Sequence, residues 1–110
     1  MKILLLTTHL NVGGITSYVL TLGGQLTHDG HLVTVASSGG ILQRDFENRG
    51  IRLLELDIHT SSELNPKIWG AVFRLRHFLN SHPVDIIHAQ TRIAQVMAQV
   101  LRWMGGPPFV

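Results

Sequence analysis

Apolar positions fall in short unbroken runs separated by stretches of helical period, and that alternation lays out the chain. Residues 3–6 (Ile-Leu-Leu-Leu) form an uninterrupted apolar run, as a parallel strand covered on both faces does. Thr7-Thr8-His9 ends the run, and Asn11, Gly13 and Gly14 break regular structure. From Ile15 the spacing changes: Ile15, Tyr18, Val19, Leu22 and Leu26 share one helical face. Asp29-Gly30-His31 makes a turn, with Gly30 where a helix end takes a left-handed residue. Residues 32–36 (Leu-Val-Thr-Val-Ala) form a β-branched second strand, followed by the loop Ser37-Ser38-Gly39-Gly40. A short helix over 41–49 stops at Gly50, and a third strand covers 51–56. A polar loop, 57–64, carries His59, Ser61, Ser62 and Glu63. Asn65-Pro66 starts the next helix, with Asn65 as cap and Pro66 in the first turn, running to about Asn80. Ser81-His82-Pro83 ends it. A fourth strand follows over 84–88, then a helix over 93–104 with Ile93, Val96, Met97, Val100 and Met104 on one face. Gly105-Gly106 closes that helix, and 107–110 opens a fifth strand.

Strands alternating with helices imply an α/β fold: a Rossmann-like parallel sheet with helices on both faces. Right-handed crossovers then favour the strand order 3-2-1-4-(5). The winding reverses between strands 1 and 4, and ligands in such sheets bind beyond the C-terminal strand ends at that reversal. The loops 8–14 and 88–92 should therefore converge on one crevice.

Composition narrows the class. One hundred and ten residues make at most one domain, of which 45% are hydrophobic and 15% charged. Either the core is large for this length or some apolar surface meets a partner. A net charge of +2 is too small to indicate nucleic acid. Without cysteine there is no disulfide framework and no thiolate chemistry, which suits a cytoplasmic protein. No apolar run approaches a membrane span, and the run at 3–6 is too short for a signal peptide.

Chemistry concentrates at the crevice. A strand leading through glycines into a helix start is a natural anion site, because backbone N–H groups approach closely and the helix dipole favours negative charge. Gly13, Gly14 and Ile15 would then sit against a phosphate-bearing or hydroxyl-rich ligand. The plainer reading is a tight turn where nothing larger than glycine packs. His9 shares that loop. His88 ends the fourth strand, where it could bond a sugar or phosphate oxygen; otherwise it is satisfied by nearby backbone. Gln90 and Arg92 lie further into the loop, Arg92 reading best as a solvated surface residue. Asp85, at the far end of the strand, reads as structural, bonding backbone around Pro83. His28 and His31 flank the turn at the opposite end of the sheet and read as structural. No metal-ligand spacing, nucleophile elbow or P-loop is present. A Gly-x-Gly-x-x-Gly cofactor loop is also missing, and Ser37 and Ser38 stand where an acidic ribose ligand would end the second strand. No metal or cofactor is therefore expected. On the helix over 65–80, Ile68, Val72, Leu75 and Leu79 form a core stripe. Trp69, Phe73 and Phe78 widen it beyond the usual arc, and Lys67, Arg74 and His77 occupy the rest. Packing against the sheet and a neighbouring loop explains this; peripheral contact with an anionic membrane is the other reading.

Three motifs in series give the chain a family likeness: Gly13-Gly14 followed by the helix 15–26; Gly30-His31-Leu32-Val33-Thr34-Val35; and Asp85-Ile86-Ile87-His88-Ala89-Gln90. Together they resemble the N-terminal, acceptor-side part of a family 4 retaining glycosyltransferase of GT-B architecture, in which two Rossmann-like domains face each other. The resemblance covers nearly all 110 residues. It implies an enzyme that moves a sugar from a nucleotide-diphosphate donor to an acceptor with retention. Gly13 and Gly14 would contact the donor pyrophosphate or the acceptor, and His88 would line the acceptor side. Gln90 departs from the family, which often has a second histidine there, but it still offers a donor and an acceptor. The resemblance further implies a C-terminal nucleotide-sugar domain that these residues lack, so residues 1–110 would be a partial N-terminal domain, inactive alone. Such a fragment would leave a sheet edge and apolar surface open to self-association. The reading from another class is a stand-alone Rossmann-like module that binds a small anion or a partner chain without catalysis.

Overall fold

In a computed structural model, the structure describes residues 1–56, 58 and 66–110, with the side chains of Pro66 and Lys67 outside that description. The elements run β1 (Lys2–Leu6), α1 (Gly14–His28), β2 (Leu32–Ser37), α2 (Gln43–Asn48), β3 (Arg52–Glu55), α3 (Pro66–Ser81), β4 (Ile86–Ala89) and α4 (Arg92–Trp103). The four strands form one parallel sheet in the order β3-β2-β1-β4. Residues 107–110 lie along the outer side of β4: Ile87 N–H donates to Pro108 O, and Val110 N–H to Ile87 O, both at 2.9 Å. The expected order 3-2-1-4-(5) is thus the observed one. Asn65, Asp57 and the stretch 59–64, including the expected cap and polar loop, lie outside the described residues.

Alternation along β1 divides the core. Leu4 and Leu6 face α3 and α4, packing with Val72, Leu75, Met97 and Leu101. Ile3 and Leu5 face the other way, with Val19 of α1, Phe46 of α2 and Ile51. Residues 3–6 of β1 are each 7% exposed or less, which is why the run reads as continuous rather than alternating. Gly30, with φ at 95°, lets the chain leave α1 in the left-handed region.

Two helix faces depart from the apolar stripe. On α1 the buried residues are Thr16, Val19 and Gly23, while Ile15 and Tyr18 are half exposed, at 51% and 53%. Gly23 is the cause: a Cβ there would lie 2.9 Å from Ile51 Cδ1, so the helix comes closest to the sheet at its glycine rather than its largest apolar groups. On α4 the buried positions are Ile93, Ala94, Met97, Ala98 and Leu101, with Val96, Val100 and Met104 only partly covered. The small Ala94 and Ala98 let α4 settle on the sheet along their side. On α3, Ile68, Ala71, Val72 and Leu75 are buried and Leu79 partly so, as the stripe indicated, whereas Trp69 (53%) and Phe73 (57%) stay exposed. Arg74 Nε donates to Glu55 O at 2.8 Å, tying α3 to β3.

Candidate functional site

The crevice opens at the C-terminal ends of β1 and β4, which the sheet makes neighbours, with Leu6 in register with Ala89. Gln90 N–H donates to Leu6 O at 2.8 Å, extending the ladder one residue past β4. Thr8 Oγ1 then donates to Thr91 Oγ1 at 3.0 Å, joining the two loops through their side chains. Loops 8–14 and 88–92 therefore meet, as the winding reversal requires.

The start of α1 has an unusual construction. Gly13 is its N-cap, with extended backbone and no side-chain hydrogen bond to the helix start. Ser17 N–H donates to Gly13 O at 3.0 Å to open the helical ladder. A Cβ built on Gly13 or Gly14 meets nothing within 4 Å, and neither residue lies in the left-handed region, Gly13 being extended. The tight-turn explanation of this glycine pair accordingly fails: neither packing nor backbone conformation within the chain requires glycine here. The first turn has no capping side chain, and the space that two Cβ atoms would take at Gly13 and Gly14 is open.

Behind this pair, the loop is splinted by the β2–α2 connection. Ser38 N–H and Oγ both donate to Thr8 O, at 2.9 and 2.7 Å. Leu10 N–H donates to Gly39 O, and Leu42 N–H to Leu10 O, each at 3.0 Å. Asn11 Oδ1 accepts from Ile41 N–H at 3.1 Å, and Asn11 N–H donates to His9 Nδ1 at 3.1 Å. Leu10 is fully buried while His9 is exposed, so the loop is anchored by one residue and presents its neighbour.

The remaining site residues divide. Gln90 is half-buried, and its Nε2 is buried without a hydrogen-bond partner. Such an orphan donor at a crevice calls for an external acceptor. His88 does not end its strand: β4 runs on to Ala89. It pairs in register with Leu5 and lies half-buried on the α1 side of the sheet. No backbone group within hydrogen-bond distance satisfies its imidazole among the described residues, so the expected backbone partner is not found. Arg92 is exposed at the start of α4. Asp85 is structural, but its partner is Lys2 rather than the backbone around Pro83: Lys2 N–H donates to Asp85 Oδ2 and Asp85 N–H to Lys2 O, both at 2.7 Å. Sequence reasoning missed Thr8, Thr91, Asn11 and Gly40. Thr91 alone carried a readable signal, as a threonine before an apolar helical run; its Oγ1 accepts from Ala94 N–H at 3.2 Å and caps α4.

A parallel sheet in the order β3-β2-β1-β4 with an open glycine loop at its reversal places the chain in the Rossmann-like α/β class. The sequence model for Glycosyltransferase Family 4 matches residues 12–110, and the chain belongs to that family. A search of curated protein sequences found no match. Among solved structures, a glycosyltransferase from Rickettsia africae ESF-5 is similar at TM-score 0.78 and 21% identity, over 98% of this chain and 28% of that one. Acinetobacter baumannii MurG is similar at 0.71 and 19%, over 97% of this chain and 33% of that one. Anabaena HepE, solved in complex with UDP and glucose, is similar at 0.67 and 23%, over 99% of this chain and 28% of that one. These likenesses show the fold alone, a Rossmann-like sheet matching part of a GT-B fold. The chain spans between 28% and 33% of the length of these three structures.

Proposed function

We propose that this chain is the acceptor-side part of a glycosyltransferase that moves a sugar from a nucleotide-diphosphate donor to an acceptor with retention. The observation that carries the reading is the start of α1: a Gly13–Gly14 pair that the fold itself does not need, at a helix N-terminus with no side-chain cap. An anionic oxygen of the donor diphosphate fits that space and gains from the exposed N–H groups and the helix dipole. His9, Ile15, His88 and Gln90 complete the substrate contacts, Gln90 Nε2 donating to a sugar or phosphate oxygen. The chemistry of such an enzyme is largely positioning plus stabilisation of charge on the leaving diphosphate. Gly13, Gly14 and Ile15 supply backbone N–H groups to that charge, while a second domain supplies the rest; residues 1–110 alone are expected to be inactive.

The test is an amide-resolved NMR titration of the chain with UDP, chosen because Anabaena HepE was solved with UDP and glucose. Shifts should centre on Gly13, Gly14, Ile15 and the Gln90 side chain, and Gly14→Val should remove them. Binding by Gly14→Val equal to that of the parent chain would sink the reading. Retention is tested on the product of the whole reading frame, by the anomeric configuration of the first-formed glycoside.

Two further contacts belong to the same proposal. Trp69 and Phe73 stand exposed one turn apart on α3, with Arg76 and His77 exposed beside them, a composition suited to peripheral contact with an anionic membrane surface. No described helix is long and apolar enough to cross a membrane, and a cytoplasmic setting with peripheral membrane contact fits the reading. Trp69→Ala with Phe73→Ala should abolish co-sedimentation with phosphatidylglycerol vesicles. The outer edge formed by residues 107–110, beside exposed Trp103 (77%), supports self-association of the isolated chain, to be measured by light scattering across a concentration series.

A further inference from the structure

We propose that Asn11 and Gly40 are positioning residues that hold the His9 ring with Nδ1 as acceptor, leaving Nε2–H as a hydrogen-bond donor for a ligand at the Gly13–Gly14 start of α1. The ligand half of this statement rests on the function proposed above; the positioning half stands on geometry alone.

Asn11 N–H donates to His9 Nδ1 at 3.1 Å. A nitrogen that accepts cannot also carry a proton, so the neutral ring must bear its hydrogen on Nε2. Among the described residues no acceptor meets Nε2, and the residue is exposed. The Asn11 N–H is itself held in place from behind, because Asn11 Oδ1 accepts from Ile41 N–H at 3.1 Å, across 30 residues of chain. Gly40 makes this closure feasible. A Cβ on Gly40 would lie 2.5 Å from the Leu10 carbonyl carbon, 2.6 Å from Asn11 Oδ1 and 2.7 Å from Asn11 N. These are mostly backbone atoms that cannot swing aside, so a side chain at residue 40 must push the two loops apart. Glycine here is thus required by the chain, unlike at Gly13 and Gly14. The order of dependence runs from Gly40, which sets the gap, to Asn11, which spans it, to His9, whose ring is fixed by the result. An Nε2–H donor in the loop that leads into an uncapped helix start adds to anion binding.

The test reads the ring directly. Long-range 1H–15N spectra of the 110-residue chain above neutral pH should show His9 with an unprotonated, hydrogen-bonded Nδ1, and the Asn11 amide should be protected from exchange. Gly40→Ala and Asn11→Ala should each speed exchange of that amide about tenfold, the loss expected for one hydrogen bond, and mix the two His9 tautomers. Asn11→Asp keeps an acceptor for Ile41 N–H and should retain the protection. Circular dichroism identifies any variant that fails to fold, and Asn11→Ala, which adds no bulk, keeps the question answerable if Gly40→Ala does not. Mixed tautomers in the parent chain, or unchanged Asn11 exchange in folded Gly40→Ala and Asn11→Ala, would overturn the proposal. Titration with inorganic pyrophosphate separates the two halves. Weakening by about tenfold in Asn11→Ala and in His9→Phe supports the donor role. If Gly14→Val abolishes binding while Asn11→Ala and His9→Phe do not weaken it, the donor role falls and the function proposed above stands. No binding by the parent chain counts against both that function and the donor role, and the His9 spectrum still decides the positioning.

Discussion

Two helices start at the same crevice, and they start in opposite ways. The first turn of α4 is closed by its own chain: Thr91 Oγ1 accepts from Ala94 N–H and also accepts a hydrogen bond from Thr8. The first turn of α1 is left open by two glycines whose missing side chains would touch nothing. A capped helix start contributes stability; an uncapped one at a crevice leaves its donors for something else. The difference separates a helix start that the fold completes from one that it leaves open. Glycines sharpen the contrast, since Gly40, in the splint behind the α1 loop, is pressed against Leu10 and Asn11 while Gly13 and Gly14 meet nothing.

Gly40→Ala should break the comparison most severely. Forcing a Cβ between Leu10 and Asn11 should cost about 1–3 kcal/mol, measured by urea unfolding. By contrast, Gly13→Ala meets no clash and should cost only the preference of an N-cap for Gly over Ala, about 0.5 kcal/mol. Equal losses in the two variants would erase the distinction between a structural and a ligand-facing glycine. Thr91→Ala comes next: removing the α4 cap should cost about 1 kcal/mol, with Thr91→Ser recovering most of it. The smallest effect is the most telling. Gly13→Asp gives α1 the kind of cap α4 has, and should raise stability by a few tenths of a kcal/mol, about the gain of an Asp over a Gly cap. The same carboxylate should block UDP, because it occupies the N–H groups and repels phosphate. A variant both more stable and unable to bind would mark α1 as a helix start kept open for function; unchanged binding would remove that explanation.

Much of the fold was legible because parallel strands buried on both faces write themselves as apolar runs. Residues 3–6 and 32–36 needed no tertiary information to be read as strands, and the reversal between β1 and β4 followed from crossover handedness. Gly13, Gly14, His9 and Gln90 were legible as a group because they stand in the loops that this order brings together. Their support was not. The Asn11–Ile41 bond spans 30 residues and the Thr8–Thr91 bond spans 83, and no local pattern marks such pairs. The helix faces were misread for a related reason: an apolar stripe gives the greasiest side of a helix, but Gly23 on α1 and Ala94 and Ala98 on α4 show that close approach selects the smallest side.

Hydrophobic periodicity and turn residues by themselves determined the element order, the strand topology and the crevice to which the polar loops contribute, because these depend on local conformational preference and on rules of handedness. Only the tertiary structure decided which glycines the fold itself requires, which face of α1 and α4 is buried, and that the ring of His9 is held through Asn11 by a loop 30 residues away. Those properties are set by distances between segments remote in sequence, where a few tenths of an ångström separate a contact from a clash, and that information exists only once the chain has closed on itself.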